Sequence, residues 1–321
     1  MNIPVDQNWR KYNKFDFVPL DYSFSTDESL MAVEKIGVDQ KQIQIVNIKE
    51  HQISSEINFE DHILDFCFFN QDTIAVLTPQ EILFYSIDGS NLLKRISYSK
   101  TTKEAPFMTD GQFIKNGEYA VLKDYDGIYI LECNNGKYAA QKLINDIRDN
   151  GQTMLAYNND CTKYAYISEE KKKIMIGSWY QDTLIEIPGN VDFVASLSFD
   201  EKGEKLYVAK LDNSVECYNC EDGKIIRTYT KFDYQINCVK EIEKWEQTYL
   251  ETNQGAYILN KDYEIIGFVE GFRDVLEESR KIVLLGGNTV YTVPVYSKEM
   301  LCKEAEQFIK ENESKEDNQN D

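Results

Sequence analysis

Three features of the 321-residue sequence predict an all-β chain folded as a seven-bladed β-propeller of four-stranded blades. The first is a recurrence of short segments rich in Val, Ile, Tyr, Phe and Leu, at residues 63–69, 73–77, 82–87, 119–122, 128–133, 206–209 and 282–285. The second is the turn pairs between such segments: Asp88-Gly89, Asn116-Gly117, Asn135-Gly136, Asp222-Gly223 and Gly286-Gly287. Pairs of this kind accept the positive φ that tight hairpins need. The third is a period. An apolar residue opens the middle strand of each repeat at Ile43, Ile82, Ile128, Ile174, Val215, Ala256 and Val290, in steps of 39, 46, 46, 41, 41 and 34 residues. A repeat of about 40–45 residues with four strands is a propeller blade, whereas a sandwich has no reason to keep one period.

Residues 17–57, 61–97, 108–143, 152–187, 194–229 and 236–269 make six blades. Residues 275–295 supply only three strands of the seventh. Residues 8–14 are expected to add its outer strand, closing the ring and removing an open edge. The propeller is thus expected over residues 1–296.

Beyond it the pattern changes. Ser297 can cap a helix with Glu299 in its first turn, and Leu301, Ala305, Phe308 and Ile309 share one face, so a helix is expected over 297–312. Its apolar stripe suits either the propeller's own side or a partner's groove. Residues 313–321 are acidic, without apolar residues, and expected to be disordered.

The fifth repeat reads Ser198-Phe199-Asp200-Glu201-Lys202-Gly203-Glu204-Lys205-Leu206-Tyr207-Val208-Ala209, then Ser214-Val215-Glu216-Cys217-Tyr218-Asn219, then Asp222-Gly223-Lys224. The third ends on Leu131-Glu132 and Asn134-Asn135-Gly136-Lys137, and the first holds Phe24-Ser25-Thr26-Asp27-Glu28-Ser29. These stretches resemble the WD-repeat β-propeller family, and the pattern covers about 280 residues. The family's Trp-Asp slot holds Val46-Asn47, Tyr85-Ser86, Leu131-Glu132, Gly177-Ser178, Tyr218-Asn219, Leu259-Asn260 and Val293-Pro294. Its Gly-His pair is absent, the only histidines being His51 and His62. Apolar packing between blades is therefore expected to replace the family's His–Asp network, with 21 Tyr and 16 Phe as material.

Charge and cysteine usage bound the function. The formal net charge is −20, which disfavours nucleic acid and would steer a basic protein partner. Seven cysteines at irregular spacing, no apolar leader in residues 1–17 and no run of about 18 apolar residues point to reduced thiols in cytoplasm or nucleus and to no membrane span.

No catalytic motif stands out, and no catalytic residue, cofactor or metal ligand is expected. Cys217-x-x-Cys220 lacks a second pair, and residues three apart in a strand face opposite ways, so both read as core. Asp61-His62 has no nucleophile nearby and reads as a loop hydrogen bond; His51 reads as exposed. Asp124 and Asp126 read as solvated turn residues. Lys171 to Lys173 beside Glu169-Glu170 read as a solvated hairpin tip. Tyr125, Trp179, Tyr180, Trp245, Phe272 and Arg273 in loops, with Leu301 and Phe308 on the terminal helix, are the candidate partner-binding residues, because aromatic and Arg side chains make strong anchors. The expectation is a non-enzymatic protein–protein interaction scaffold within a multiprotein complex. The alternative is a propeller hydrolase with a metal or acid–base site in the central channel, although no repeated inner-strand Asp or Glu is evident in the sequence.

Overall fold

A computed structural model describes residues 11–15, 17, 19, 21–36, 41–60, 62–97, 110–124, 127–134, 137–144, 155–168, 170–179, 181–230, 232–277 and 279–295. Seven antiparallel four-stranded sheets account for its strands. From the channel outward, blade 1 holds β2 (Tyr22–Phe24), β3 (Leu30–Ile36), β4 (Lys41–Asn47) and β5 (Gln52–Phe59). Blade 2 holds β6 (Asp65–Asn70), β7 (Thr73–Leu77), β8 (Glu81–Ser86) and β9 (Leu92–Ser97). Blade 3 holds β10 (Asp110–Ile114), β11 (Tyr119–Asp124), β12 (Gly127–Asn134) and β13 (Lys137–Ile144). Blade 4 holds β14 (Leu155–Tyr157), β15 (Lys163–Ser168), β16 (Lys173–Ser178) and β17 (Gln181–Ile187). Blade 5 holds β18 (Val194–Phe199), β19 (Lys205–Lys210), β20 (Val215–Asn219) and β21 (Ile225–Tyr229). Blade 6 holds β22 (Ile236–Ile242), β23 (Gln247–Thr252), β24 (Gly255–Asn260) and β25 (Ile265–Glu270).

Blade 7 holds β26 (Phe272–Leu276), β27 (Lys281–Gly286), β28 (Thr289–Pro294) and, outermost, β1 (Lys11–Lys14). Lys11 to Lys14 lie antiparallel to Thr292 to Thr289. Phe15 extends the contact, its N–H donating to the Asn288 carbonyl at 2.9 Å. Residues 8–10 of the expected closing strand, and residues 296–321 with the expected helix, Leu301 and Phe308, lie outside the described residues.

The seven periodic apolar residues fall within the first three positions of β4, β8, β12, β16, β20, β24 and β28, and all are at most 4 % exposed. Middle strands are buried on both sides, so they read as continuous apolar runs, while outermost strands such as β9 and β21 are largely exposed. Period-2 alternation distributes the side chains between neighbours. In β19, Leu206 and Val208 pack toward blade 4, and Tyr207 and Ala209 toward blade 6. Each pair of adjacent blades shares one such cluster: blades 1–2, 2–3, 3–4, 4–5, 5–6 and 6–7. The seventh joins blade 7 to blade 1 through Val283, Val290, Met31, Val33, Val46 and Ile48. Seven blades with seven interfaces make a ring.

Polar groups tie the same interfaces. Within single blades, Asn47, Asn219 and Asn260 each accept backbone N–H groups of the following turn. Between blades 5 and 6, Glu241 accepts from Lys205 Nζ at 2.8 and 2.9 Å and from the Tyr207 hydroxyl at 2.6 Å. The turn at Gly89 (φ 71°) also presses on the preceding blade, because a Cβ there would stand 2.8 Å from the Glu56 carbonyl oxygen.

Two measurements check this packing. Gly89→Ala should cost about 1–3 kcal/mol, from positive φ and the carbonyl clash together; an unchanged denaturation midpoint would contradict the close approach. Glu241→Ala should cost about 1–3 kcal/mol, since it leaves the part-buried Lys205 ammonium with only the Tyr263 hydroxyl at 3.3 Å and removes the acceptor of the Tyr207 hydroxyl. A loss below about 1 kcal/mol would show that the network is dispensable.

Candidate functional site

Consecutive antiparallel strands sort the loops onto two faces. The upper face carries the second-to-third turns and the connections between blades; the lower face carries the first-to-second and third-to-fourth turns. Two features stand out on this frame, the central channel and a patch on the upper face.

The channel encloses a cavity of about 380 Å³ lined by the innermost strands of blades 3 to 7, with Gln112, Tyr157, Ser198, Cys238, Lys240 and Asp274 among its walls. An innermost strand leaves one backbone edge unpaired, and side chains from the preceding blade satisfy part of it. Ser198 Oγ accepts the Val239 N–H at 3.1 Å, and Asp65 Oδ2 accepts the Phe113 N–H at 2.5 Å.

Aspartates recur at the head of four innermost strands. Asp21, Asp65, Asp110 and Asp274 each accept the N–H of the next residue on Oδ1. Those next residues hold one register, Tyr22 opposite Val33, Phe66 opposite Val76, Gly111 opposite Leu122 and Val275 opposite Ile282. Blades 7, 1, 2 and 3 thus present a repeated acid, which corrects the expectation that none exists. The spacings of 44 and 45 residues from Asp21 to Asp65 to Asp110 match the blade period and were the available signal. Asp274 was hidden by a bulge between Phe272 and Asp274. Among the described residues no three His, Cys, Asp or Glu gather closely enough to hold a metal ion.

The electrostatics assign roles. Burial pushes Asp65 up to about 7, with the negative charges of Asp21 and Asp110 adding to it and the Phe113 and Phe66 N–H groups opposing. Lys240 pairs with Asp274. Burial disfavours its charge, but Asp274, Cys238 and Glu251 together outweigh that and keep the ammonium more firmly protonated than usual. Burial also raises the Cys238 thiol and the Glu251 carboxyl. Neither Lys240 nor Cys238 is therefore a ready nucleophile at neutral pH. Asp65 can exchange a proton there, but both of its oxygens already hold backbone N–H groups.

The anticipated anchors separate into three groups. Trp245 and Phe272 are corrected: they are 6 % and 1 % exposed in the interface of blades 6 and 7, around Tyr249, which stacks on Phe272 at 5.2 Å. Here aromatic area holds blades together. Trp179 is half-buried, its ring 4.3 Å from that of Tyr164, and belongs to the interface of blades 3 and 4. Arg273 remains exposed, within electrostatic range of Glu251 and Tyr22. Tyr125 and Tyr180 lie outside the described residues. Cys217 and Cys220 are buried in opposite interfaces, toward blades 6 and 4, and burial pushes both thiols up to about 12. Lys171 and Lys173 share Glu186 at 2.8 and 2.6 Å at an exposed tip. His62 contacts Lys41, and burial with that positive charge lowers its pKa; His51 is exposed.

The patch was not anticipated. Phe193, Leu211, Tyr234 and Phe268 are 56, 53, 43 and 36 % exposed. They belong to the connection into blade 5, the β19–β20 turn, the connection into blade 6, and β25. Leu211 N–H donates to the Phe193 carbonyl at 2.9 Å, Asn213 Nδ2 donates to the Asp233 carbonyl at 3.5 Å, and the Tyr234 and Phe268 rings lie 5.6 Å apart. Phe193 and Leu211 therefore lie side by side on the upper face of blade 5, and Tyr234 and Phe268 on that of blade 6, with the Asn213–Asp233 bond between the two pairs. In the sequence they stand 18, 23 and 34 residues apart, and the fold brings them to one face.

Asp65 makes the channel's chemistry measurable. The folded state holds its proton up to about pH 7, while the unfolded chain releases it near the ordinary 3.8. Its stabilising contribution is complete below about pH 4 and is lost as pH rises through about 7. Between pH 5 and 8 the wild type should lose on the order of 2 kcal/mol more than Asp65→Asn, read by denaturant unfolding at each pH. Parallel pH profiles would contradict the assignment.

No family model matches the chain and no curated protein matches it, so its function must be argued from these surfaces.

Proposed function

We propose that this chain is a diverged WD-repeat-like propeller acting as a non-enzymatic protein–protein interaction scaffold, a subunit of a multiprotein assembly in cytoplasm or nucleus. Two neighbouring exposed pairs, Phe193 with Leu211 and Tyr234 with Phe268, carry the reading. Large apolar side chains cost free energy when left in water, and a ring of packed sheets holds these four in a fixed arrangement. Such a surface suits binding by a partner that covers it. The net charge of −20 favours a basic protein as that partner and disfavours nucleic acid. Among the described residues no helix is long and apolar enough to cross a membrane.

One observation favours a second reading. The cavity of about 380 Å³ and the near-neutral Asp65, which stands outside its lining, are features that a channel hydrolase using acid–base chemistry would call on. The hydrogen bonds that occupy Asp65 weigh against it, as does the absence of a metal-binding group among the described residues.

Purification of the tagged protein from its own cells at about 0.1 M salt separates the two. The scaffold reading expects elution in a stoichiometric assembly larger than the 37.3 kDa monomer, dispersed by higher salt. A monomer whose melting temperature rises with Mg²⁺, Ca²⁺ or Mn²⁺ would favour the channel enzyme instead.

A further inference from the structure

The patch on blades 5 and 6 is rimmed by carboxylates. Asp192 precedes Phe193, Asp212 follows Leu211, Asp233 precedes Tyr234, and Glu270 lies two residues beyond Phe268. All four acids are exposed. Asp212 accepts the hydroxyl and N–H of Ser214, which lowers its pKa and keeps it ionised. The nearby cation Lys210 is already engaged with Glu216 at 2.5 Å. Every exposed apolar residue of the patch thus has a carboxylate within two positions, while the charge of Lys210 also acts on Asp212.

The geometry points to a docking surface for a linear segment of a partner protein with two or more bulky apolar side chains flanked by Lys or Arg. The apolar side chains would cover Phe193 and Leu211 on blade 5 and Tyr234 and Phe268 between blades 5 and 6. The flanking cations would meet Asp192, Asp212, Asp233 and Glu270. Desolvated aromatic contacts supply most of the affinity in such an arrangement, and the charged rim supplies orientation and association rate. An acidic apolar segment is excluded by repulsion, and this gives the surface its selectivity. The inference deepens the scaffold reading and rests on it.

Its test uses the full chain and an array of synthetic peptides. Pairs of Phe, Leu or Trp at varied spacing are flanked by Lys/Arg in one set and by Asp/Glu in a matched set. The wild-type protein should be retained by members of the basic set and not by their acidic counterparts, with retention falling as salt rises. Phe193→Ala with Tyr234→Ala should weaken retention at least about tenfold, and Asp233→Lys with Glu270→Lys should do the same while flattening the salt dependence. Circular dichroism and melting temperature check that these surface variants fold. Ile225→Ser with Ile226→Ser, on exposed aliphatics of the lower outer rim, should leave retention unchanged. Basic peptides held equally by wild type and patch variants would overturn this surface and leave the scaffold reading standing. Equal retention of basic and acidic sets, or of neither, would overturn the proposed partner chemistry. The scaffold reading itself fails only if the protein from its own cells proves to be a monomer.

Discussion

The contact between the last blade and the first is the one on which the rest depends. Met31, Val33 and Val46 meet Val283 and Val290 there, with Phe15 and Ile48 alongside. Six apolar interfaces would leave a curved row of sheets with two bare blade faces; the seventh converts the row into a ring. Each middle strand is then buried on both sides, which accounts for the unbroken apolar run Ile74 to Leu77 of β7. The polar links are local supports on that frame. Glu241 with Lys205 and Tyr207 braces blades 5 and 6, and the turn at Gly89 seats blade 2 on blade 1.

The ring creates two environments of opposite character. Inside, unpaired strand edges and crowded acids are reconciled by hydrogen bonding and proton uptake, as at Ser198 and Asp65. The same groups that make the channel look chemically interesting are spent on holding neighbouring strands. Outside, the upper face exposes Phe193 and Leu211, and also Tyr234 and Phe268, which pack on each other and on Tyr257 yet stay open to water. Free energy is gained on this upper surface only when something else covers it. That contrast is the physical basis for preferring a binding role over a catalytic one.

Much of the fold was legible because burial on both blade faces forces apolar residues into the middle strands at a constant period. Ile43, Ile82, Ile128, Ile174, Val215, Ala256 and Val290 mark the third strand of every blade. Cys217 and Cys220 face opposite interfaces as expected, although Cys220 stands one residue past the end of β20 and not within the strand. The site was far less legible. Composition cannot tell an aromatic that joins two blades from one that faces a partner, so Trp245 and Phe272 read as anchors while Phe193, Tyr234 and Phe268 passed unnoticed. The difference lies in how far each loop stands from the next blade, a tertiary property. The aspartate ring was half legible: Asp21, Asp65 and Asp110 keep the period, but the bulge before Asp274 breaks it.

Native-state hydrogen exchange on a double variant, Met31→Ala with Val283→Ala, tests the ring most directly. Both side chains are at most 1 % exposed and lie on opposite sides of the closing contact. If blade 7 seals onto blade 1, amides of β2–β4 and of β26–β28 should lose protection together, by comparable factors, each having relied on the other's surface. Loss confined to strands flanking one substitution, with the opposite blade as protected as in the wild type, would mean that the two blades do not share an interface and that the ring is open.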